Sequence, residues 1–580
     1  MLGFRLIAVV LGCLMLTSMA EAKNGDNCGD LRKACQAAGF VQSGGHGSGT
    51  RVIRDCMDPL MNGVTPPGTG KLPLPKVSAD AIASCKADKG KGGVTSAKSL
   101  PAQGARVGNP PVAVKALPTG QDPGPNIVMI LVDDFSMNLM TDKAGVLSKG
   151  MPNLAQMMRD GVTFSNYFVT DSLCCPSRTS IFTGLMPHNS GVIANTGVNG
   201  GFGAFMAHKD DAKTFALALH NNYYATAMMG KYLNGYEPDQ AGIPQGWSEW
   251  AVAGNAYANF NYAINHNAEM ITPAPHMTDE MSTLGQAFIK GAAAGPFFLE
   301  LATFSPHSPY VPPKRYADAF PGLTYPRTAA FDYRPDQYSP KWLQVIPALD
   351  KRFMNKIDEF YRLRVQSDMG VDDMIGAVRK TIDDLGLSKN TYIIFTSDNG
   401  YHMGEFSLRA GKMSPFDFDI HVPLVVVGPG VAAGQTIDDI AMNIDLYPTF
   451  TELAGIVPSA TVDGHSLVPL LHGKPGPRRN IAVVEHAQSK PSPADPDAAE
   501  AKAGDPPDYV ALRLGDAMYV EYNDGSKDVG YYDMTSDPDQ LHNIAHTLSA
   551  DRLKALHEAL AANHACVGAD ACLAAQSMTP

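Results

Sequence analysis

Two apolar runs, each ending in acids, constrain the fold of this chain more than any other feature. The first, NIVMILV (126–132), is continuous and β-branched, and Asp133 and Asp134 follow it directly. The second, TYIIFT (391–396), runs into Ser397, Asp398 and Asn399. A strand with one wet face alternates apolar and polar residues. An uninterrupted run marks a strand covered on both faces, as in the parallel sheet of an α/β protein. Ahead of the second run, Val371, Met374, Ile375, Val378, Ile382 and Leu385 recur at three- and four-residue spacing and mark an amphipathic helix. Gly386 is placed to cap it. VPLVVVGPG (422–430) is a third buried strand, stopped by Gly-Pro-Gly. Helix, strand, then polar ligands is the α/β order, and sites in open α/β sheets gather beyond the carboxyl ends of the strands.

Past about residue 475 the texture changes to RRNIAVVEH, DYVALRLGD, AMYVEYNDGS and DVGYYDMTSDP, short alternating segments that predict a small antiparallel sheet. A Pro/Ala/Asp-rich loop (490–507) interrupts it, and DRLKALHEALAANH (551–564) reads as a closing helix. At the other end, MLGFRLIAVVLGCLMLTSMAEA has one basic residue, an apolar run and a small-residue cleavage site, the layout of a secretory signal peptide. The expected organisation is a signal peptide (1–22), a small Cys-bearing segment (23–85) and a Gly/Pro/Lys-rich linker (86–124). A catalytic domain (125–475) and a C-terminal antiparallel subdomain with its helix (476–580) follow. No other apolar run reaches the roughly 18 residues a membrane span needs. The protein is therefore read as exported, to the periplasm or the medium. A net charge of −12 argues against a general nucleic-acid binder. Residues 23–124 go the other way, with 13 Lys/Arg against 7 Asp/Glu, and read as a solvated spacer.

In an oxidising compartment thiols pair. Cys13 leaves with the signal, and Cys28, Cys35, Cys56 and Cys85 allow three pairings. Cys566 and Cys572 close a small C-terminal loop. Cys174 and Cys175 remain. Consecutive Cα atoms lie about 3.8 Å apart, whereas a relaxed disulfide needs about 4.4–6.8 Å, so at least one of this pair is kept for chemistry. Pro176 fits the first turn of a helix, which puts Cys174 at a helix N-terminus, a ready anion site. Arg178 can offer paired donors to an oxyanion. Asp133, Asp134, Asp398 and Asn399 are four hard oxygen donors at two strand ends and suit Ca²⁺ or Mg²⁺. Without a cation, clustered carboxylates repel and one takes up a proton.

CCPSRTSIFTG (174–184) resembles the sulfatase signature, Cys-x-Pro-Ser-Arg followed by Thr-Gly. NYYATAMMGKYLNGY (222–236) looks like the second signature and supplies Lys231. FSPHSPY (304–310) matches the Pro-His-x-Pro element and supplies His307. SDNGYHMGEFSLRAGK (397–412) ends in Lys412, and YYDMTSDPDQLHNIA (531–545) is similar to the family's closing segment. The resemblance covers about residues 125–545 and is strongest to the N-acetylglucosamine-6-sulfatase branch, with its related arylsulfatases. It implies an alkaline-phosphatase-like sandwich, a large mixed but mostly parallel sheet between helices, with a smaller antiparallel C-terminal sheet. It also implies that Cys174 is oxidised to Cα-formylglycine by a formylglycine-generating enzyme. The hydrated aldehyde of that residue would attack a sulfate ester of a sugar or an aryl alcohol. Asp133, Asp134, Asp398, Asn399 and modified Cys174 would hold one Ca²⁺ or Mg²⁺. Arg178, Lys231 and Lys412 would add fixed charge, and Lys231, His307, Lys412 and His402 would contact substrate. His307 would protonate the leaving oxygen. Many sulfatases carry a histidine two residues after the first active-site lysine. Here Leu233 and Asn234 follow, which leaves His402 or His188 to handle the proton of the hydrate. The alternatives are a phosphodiester or phosphonate monoester hydrolase of the same superfamily, and an inactive protein that binds sulfated glycans.

Overall fold

The computed structural model describes residues 124–140, 142–487, 506–523 and 528–580, with Pro118 and Gly525. The expected signal peptide, the Cys28/Cys35/Cys56/Cys85 set, nearly all of the linker and most of the 490–507 loop lie outside the described residues.

NIVMILV forms β1 (Asn126–Val132), buried at every residue. It is the centre of a ten-stranded sheet. The others are β2 (Val162–Phe164), β4 (Ala225–Lys231), β5 (Glu249–Ala253), β6 (Ile264–His266), β7 (Glu269–Ile271), β8 (Phe297–Ala302), β9 (Thr391–Ser397), β10 (Leu424–Val427) and β11 (Gln435–Ile437). A two-stranded ladder of β3 (Tyr167–Phe168) and β12 (Ala441–Met442) stands apart. The order across the main sheet is β11-β2-β10-β9-β1-β8-β4-β5-β6-β7. The middle five strands, from β9 to β5, are all parallel. β10 comes from the VPLVVVGPG run and is buried as expected, but it pairs antiparallel with both β9 and β2. An apolar run reports burial on two faces and carries no information about direction, so the sheet is mixed.

Alternate residues of β1 enter different cores. Ile127, Met129 and Leu131 pack with Ile181 and Phe182 of the helix Cys174–Thr183. Val128, Ile130 and Val132 pack on the opposite face with Met281 and Ile289 of the helix Met277–Ala292, and with Val365, Met374 and Val378 of the helix Lys351–Asp384. Helices therefore cover both faces, which is why the central strands read as unbroken apolar runs. The helix expected over 371–385 begins twenty residues earlier, at Lys351. Arg364, Gln366, Ser367, Asp368 and Asp372 are buried along its inner face and break the apolar spacing there.

The C-terminal segments pair as a separate antiparallel sheet of β13 (Ile481–His486), β14 (Tyr509–Leu514), β15 (Ala517–Tyr522) and β16 (Val529–Asp533). Its apolar residues join the core on the Cys174-helix side. The helix Ala550–His564 follows, and a disulfide joins Cys566 to Cys572 across a Cα–Cα distance of 5.0 Å. Among the described residues no helix is long and apolar enough to cross a membrane.

Candidate active site

Parallel register builds the site. Val132 stands level with Ser397, so Asp133 and Asp134 emerge beside Asp398 and Asn399 at the same sheet edge. Lys231 is the last residue of β4, and His307 lies in the turn after β8. Asp134 adopts a left-handed conformation (φ 68°), one that Asp tolerates better than most residues. Three contacts hold it there. Its N–H donates to Asp398 Oδ1 (3.1 Å), the Phe135 N–H donates to Ser397 Oγ (2.9 Å), and Arg364 donates to the Asp134 carbonyl.

The helix Cys174–Thr183 presents its N-terminus to this edge. Asn195 Oδ1 accepts the Cys175 N–H at 2.9 Å, and Ser177 Oγ donates to the carbonyl of Asp398. Arg178 is fully buried. Its Nε donates to Asp398 Oδ2 (2.8 Å) and its Nη1 to the Lys231 carbonyl (2.9 Å), so most of its fork binds the framework. Nη2, 4.0 Å from Asp133 Oδ1, makes no hydrogen bond.

Neither cysteine of the pair is in a disulfide, and their surroundings differ. Burial pushes the Cys175 thiol up to about 12, a packed and inert group. Cys174 Sγ accepts from Lys412 Nζ (2.7 Å) and Lys231 Nζ (3.2 Å) and lies 3.4 Å from Asp133 Oδ1. The two ammonium groups bind carboxylates as well, Lys231 to Asp133 Oδ2 (2.6 Å) and Lys412 to Asp134 Oδ1 (2.7 Å). Burial acts to lower the Lys231 ammonium, but Asp133, Cys174 and Tyr257 together hold it well above its ordinary value. His307 is buried. Its Nδ1 donates to Ser308 O (2.7 Å), and its Nε2 faces Asp134 Oδ2 at 3.7 Å.

Three carboxylates (Asp133, Asp134, Asp398) meet three cations (Arg178, Lys231, Lys412), and their formal charges cancel. Burial pushes the Asp133 carboxyl up to about 6, with Lys231 opposing the rise and Asp398 adding to it. Burial also acts to raise Asp398, but Arg178, Lys231 and Lys412 together hold that carboxyl below its ordinary value. Two buried oxygens make no hydrogen bond, Asp134 Oδ2 and Asn399 Oδ1. The Asn399 amide is oriented by its Nδ2, which donates to Asp134 Oδ1 (2.7 Å) and Gly400 O (2.8 Å), so that Oδ1 is left as an acceptor. Ligand atoms of Asp133, Asp134, Cys174 and His307 lie within 4.8 Å of one another. Orphaned buried oxygens carry a desolvation penalty that a hard cation removes. The donor set fits Ca²⁺ or Mg²⁺.

His402 and His188 each make contacts outside this ring. His402 Nδ1 binds Asp419 Oδ2 (2.8 Å), and its backbone pairs with Gly411 (2.8 and 3.1 Å), which fastens the hairpin that delivers Lys412. His188 is held by Glu485 and the Cys566 carbonyl. Leu233 is core. Nothing in the sequence pointed directly to Tyr257, whose ring lies 5.2 Å from Lys231 Nζ and packs at a tilt on His307 with ring centres 4.5 Å apart. Nor did anything point directly to Arg364, although charges on the inner face of a long helix are a signal that could have been read.

Carboxylates at parallel strand ends, facing a helix N-terminus ringed by ammonium groups, make a hydrolytic centre for anionic esters on an alkaline-phosphatase-like sandwich. The family model described as Sulfatase matches residues 125–456. N-acetylglucosamine-6-sulfatase of Homo sapiens is 34% identical over 477 residues, 77% of this chain and 85% of that protein. Among solved structures, BT4656 in complex with D-glucosamine-2-N,6-O-disulfate aligns with a TM-score of 0.63 at 22% identity, over 76% of this chain and 97% of that one. The phosphonate monoester hydrolase of Agrobacterium radiobacter aligns with a TM-score of 0.56 at 21% identity, over 76% and 96%. The chain belongs to the sulfatase family, in its N-acetylglucosamine-6-sulfatase and arylsulfatase branch, and is a sulfuric ester hydrolase.

Proposed function

We propose that this enzyme removes sulfate from a sulfated sugar of the glucosamine-6-sulfate type, with Cys174 in its Cα-formylglycine form as the reacting residue. The observation that carries the reading is the convergence of Lys412, Lys231 and Asp133 on one buried sulfur, while the neighbouring Cys175 is left among core groups. The hydrated aldehyde at residue 174 would supply the nucleophilic oxygen, and Asp133, Asp134, Asp398 and Asn399 would hold a divalent cation that would supply Lewis acidity.

The chain's own groups do the remainder. Lys231 and Lys412 hold positive charge where the sulfuryl oxygens gather negative charge, and one such donor contributes about 3–4 kcal/mol to the transition state. His307 keeps its Nδ1 proton on Ser308 O and offers Nε2 as the proton donor to the leaving oxygen. Arg178 acts as a positioning residue, fixing Asp398 and the end of β4 through its two framework bonds. His402 acts in the same way through Asp419 on the Lys412 hairpin. The protein is exported, with residues 1–22 as the signal, and a formylglycine-generating enzyme is its maturation partner.

The test pairs mass analysis with activity. The tryptic peptide containing residue 174 from native-host protein should be lighter than the thiol form by sulfur for oxygen and two hydrogens. The same preparation should hydrolyse glucosamine 6-sulfate. A plain thiol in fully active protein would overturn the assignment. Faster turnover of a nitrophenyl phosphodiester than of nitrophenyl sulfate would favour the phosphonate-hydrolase reading.

A further inference from the structure

Beside the Cys174 helix, between the short helix Pro187–Ser190 and the C-terminal sheet, lies a cavity of about 390 Å³. Four histidines line it, His188, His208, His486 and His564, together with Glu485. Three of these residues converge. Glu485 Oε1 is 2.5 Å from His188 Nδ1 and 3.1 Å from His564 Nδ1, and Glu485 Oε2 accepts the His188 backbone N–H at 3.0 Å. His188 Nε2 is 2.9 Å from the Cys566 carbonyl. A carbonyl only accepts, so Nε2 carries the hydrogen. Nδ1 then faces the carboxylate either with a second proton or with a lone pair. Three potential ligand atoms on three separate elements therefore meet at one point, where the buried carboxylate favours positive charge beside it. A histidine whose far nitrogen donates to a backbone carbonyl has the support found behind metal-bound imidazoles.

We propose that His188, Glu485 and His564 form a second cation site, taking a borderline transition ion such as Zn²⁺. Two imidazole nitrogens and one carboxylate oxygen suit such an ion better than they suit the hard cations of the Cys174 cluster. Ligands at about 2.0–2.1 Å from a tetrahedral ion stand about 3.3 Å apart. The His564–Glu485 separation is already close to that, and the His188–Glu485 separation opens by about 0.8 Å as the ion replaces the shared proton, which leaves to solvent. Three protein ligands leave a fourth position open to the cavity. Asp463, which accepts from Asn189, also favours the charged form of His188. The bound ion would clip the C-terminal helix and β13 to the segment that follows the Cys174 helix. The side-chain hydrogen bonds of these three residues run among themselves and to the Cys566 carbonyl, so the proposal does not rest on the sulfatase mechanism.

The test uses the full chain saturated with CaCl₂, so that the oxygen-rich cluster is filled, and adds ZnCl₂ as the probe. Equilibrium dialysis with metal analysis should find one zinc per chain more in wild type than in His564→Ala, whose side chain is half exposed at a helix end. Affinity in the variant should fall about tenfold or more. Anomalous scattering at the zinc edge should place a peak between the three residues, and Glu485→Gln should lose it. His564→Ala should hydrolyse sulfate esters at the wild-type rate in calcium, which separates this site from the catalytic one. Equal zinc binding by wild type and His564→Ala, an anomalous peak elsewhere, or no zinc retained over calcium would each overturn the proposal.

Discussion

Lys412→Met separates fixed charge from metal binding at the catalytic centre. Lys412 Nζ lies 2.7 Å from Cys174 Sγ and 2.7 Å from Asp134 Oδ1. Methionine keeps much of the stem and removes the ammonium. Loss of one preorganised donor at the reacting atoms costs about 3–4 kcal/mol, or about 10²–10³-fold in kcat. The cluster's formal charge moves from balance to −1, so its affinity for a divalent cation should hold or rise. In the metal-free protein the same change removes one partner of a buried pair, a loss of about 3–5 kcal/mol. Chelated Lys412→Met should therefore melt well below chelated wild type, with calcium narrowing the gap. Turnover of nitrophenyl sulfate and calcium content should be measured on the same samples. A kcat within about threefold of wild type, or calcium lost in proportion to activity, would refute the reasoning.

Cys174→Ala should abolish turnover and leave the melting temperature of the calcium form nearly unchanged, as read by calorimetry and a sulfate-release assay. Calcium affinity should weaken by about tenfold per pH unit below about 6, because the buried Asp133 carboxyl takes up a proton there and a protonated carboxyl does not ligate; calorimetric titration across pH checks this. Glu300, in the middle of β8, has no hydrogen bond on either oxygen, and burial pushes its carboxyl up to about 8. The folded state keeps that proton while the unfolded chain loses it near 4.5, so stability falls as pH rises between those values. Glu300→Met should accordingly stabilise the protein more at pH 8 than at pH 5, by about 3–4 kcal/mol from the unit-by-unit linkage. Denaturant midpoints at the two pH values decide it.

How much was legible in the sequence depended on whether the cause was local. β1 and β9 could be read because burial on two faces is written into consecutive residues, and the acids behind them stood out for the same reason. The alternating C-terminal strands were equally plain. The direction of β10 could not be read, since an apolar run looks the same either way. Arg364 could not be assigned because its partner, the Asp134 carbonyl, is 230 residues away. The same holds for Tyr257, which meets His307 only after β5 and β8 have taken their places in the sheet. His307 and the two lysines entered through motif resemblance, and spacing alone would not have gathered them. His402 entered through the resemblance as well, and the bond of its Nδ1 to Asp419 was not legible because it is set by the folding-back of a loop.

The level pairing of Val132 with Ser397 has an evolutionary corollary. The carboxylates sit where two adjacent strands stop, so their spacing is dictated by backbone hydrogen bonds and is indifferent to the length of chain running between them. A family built this way can lengthen, shorten or rewrite the connecting loops, and so change which sulfate ester it accepts, while the carboxylate corner stays in place.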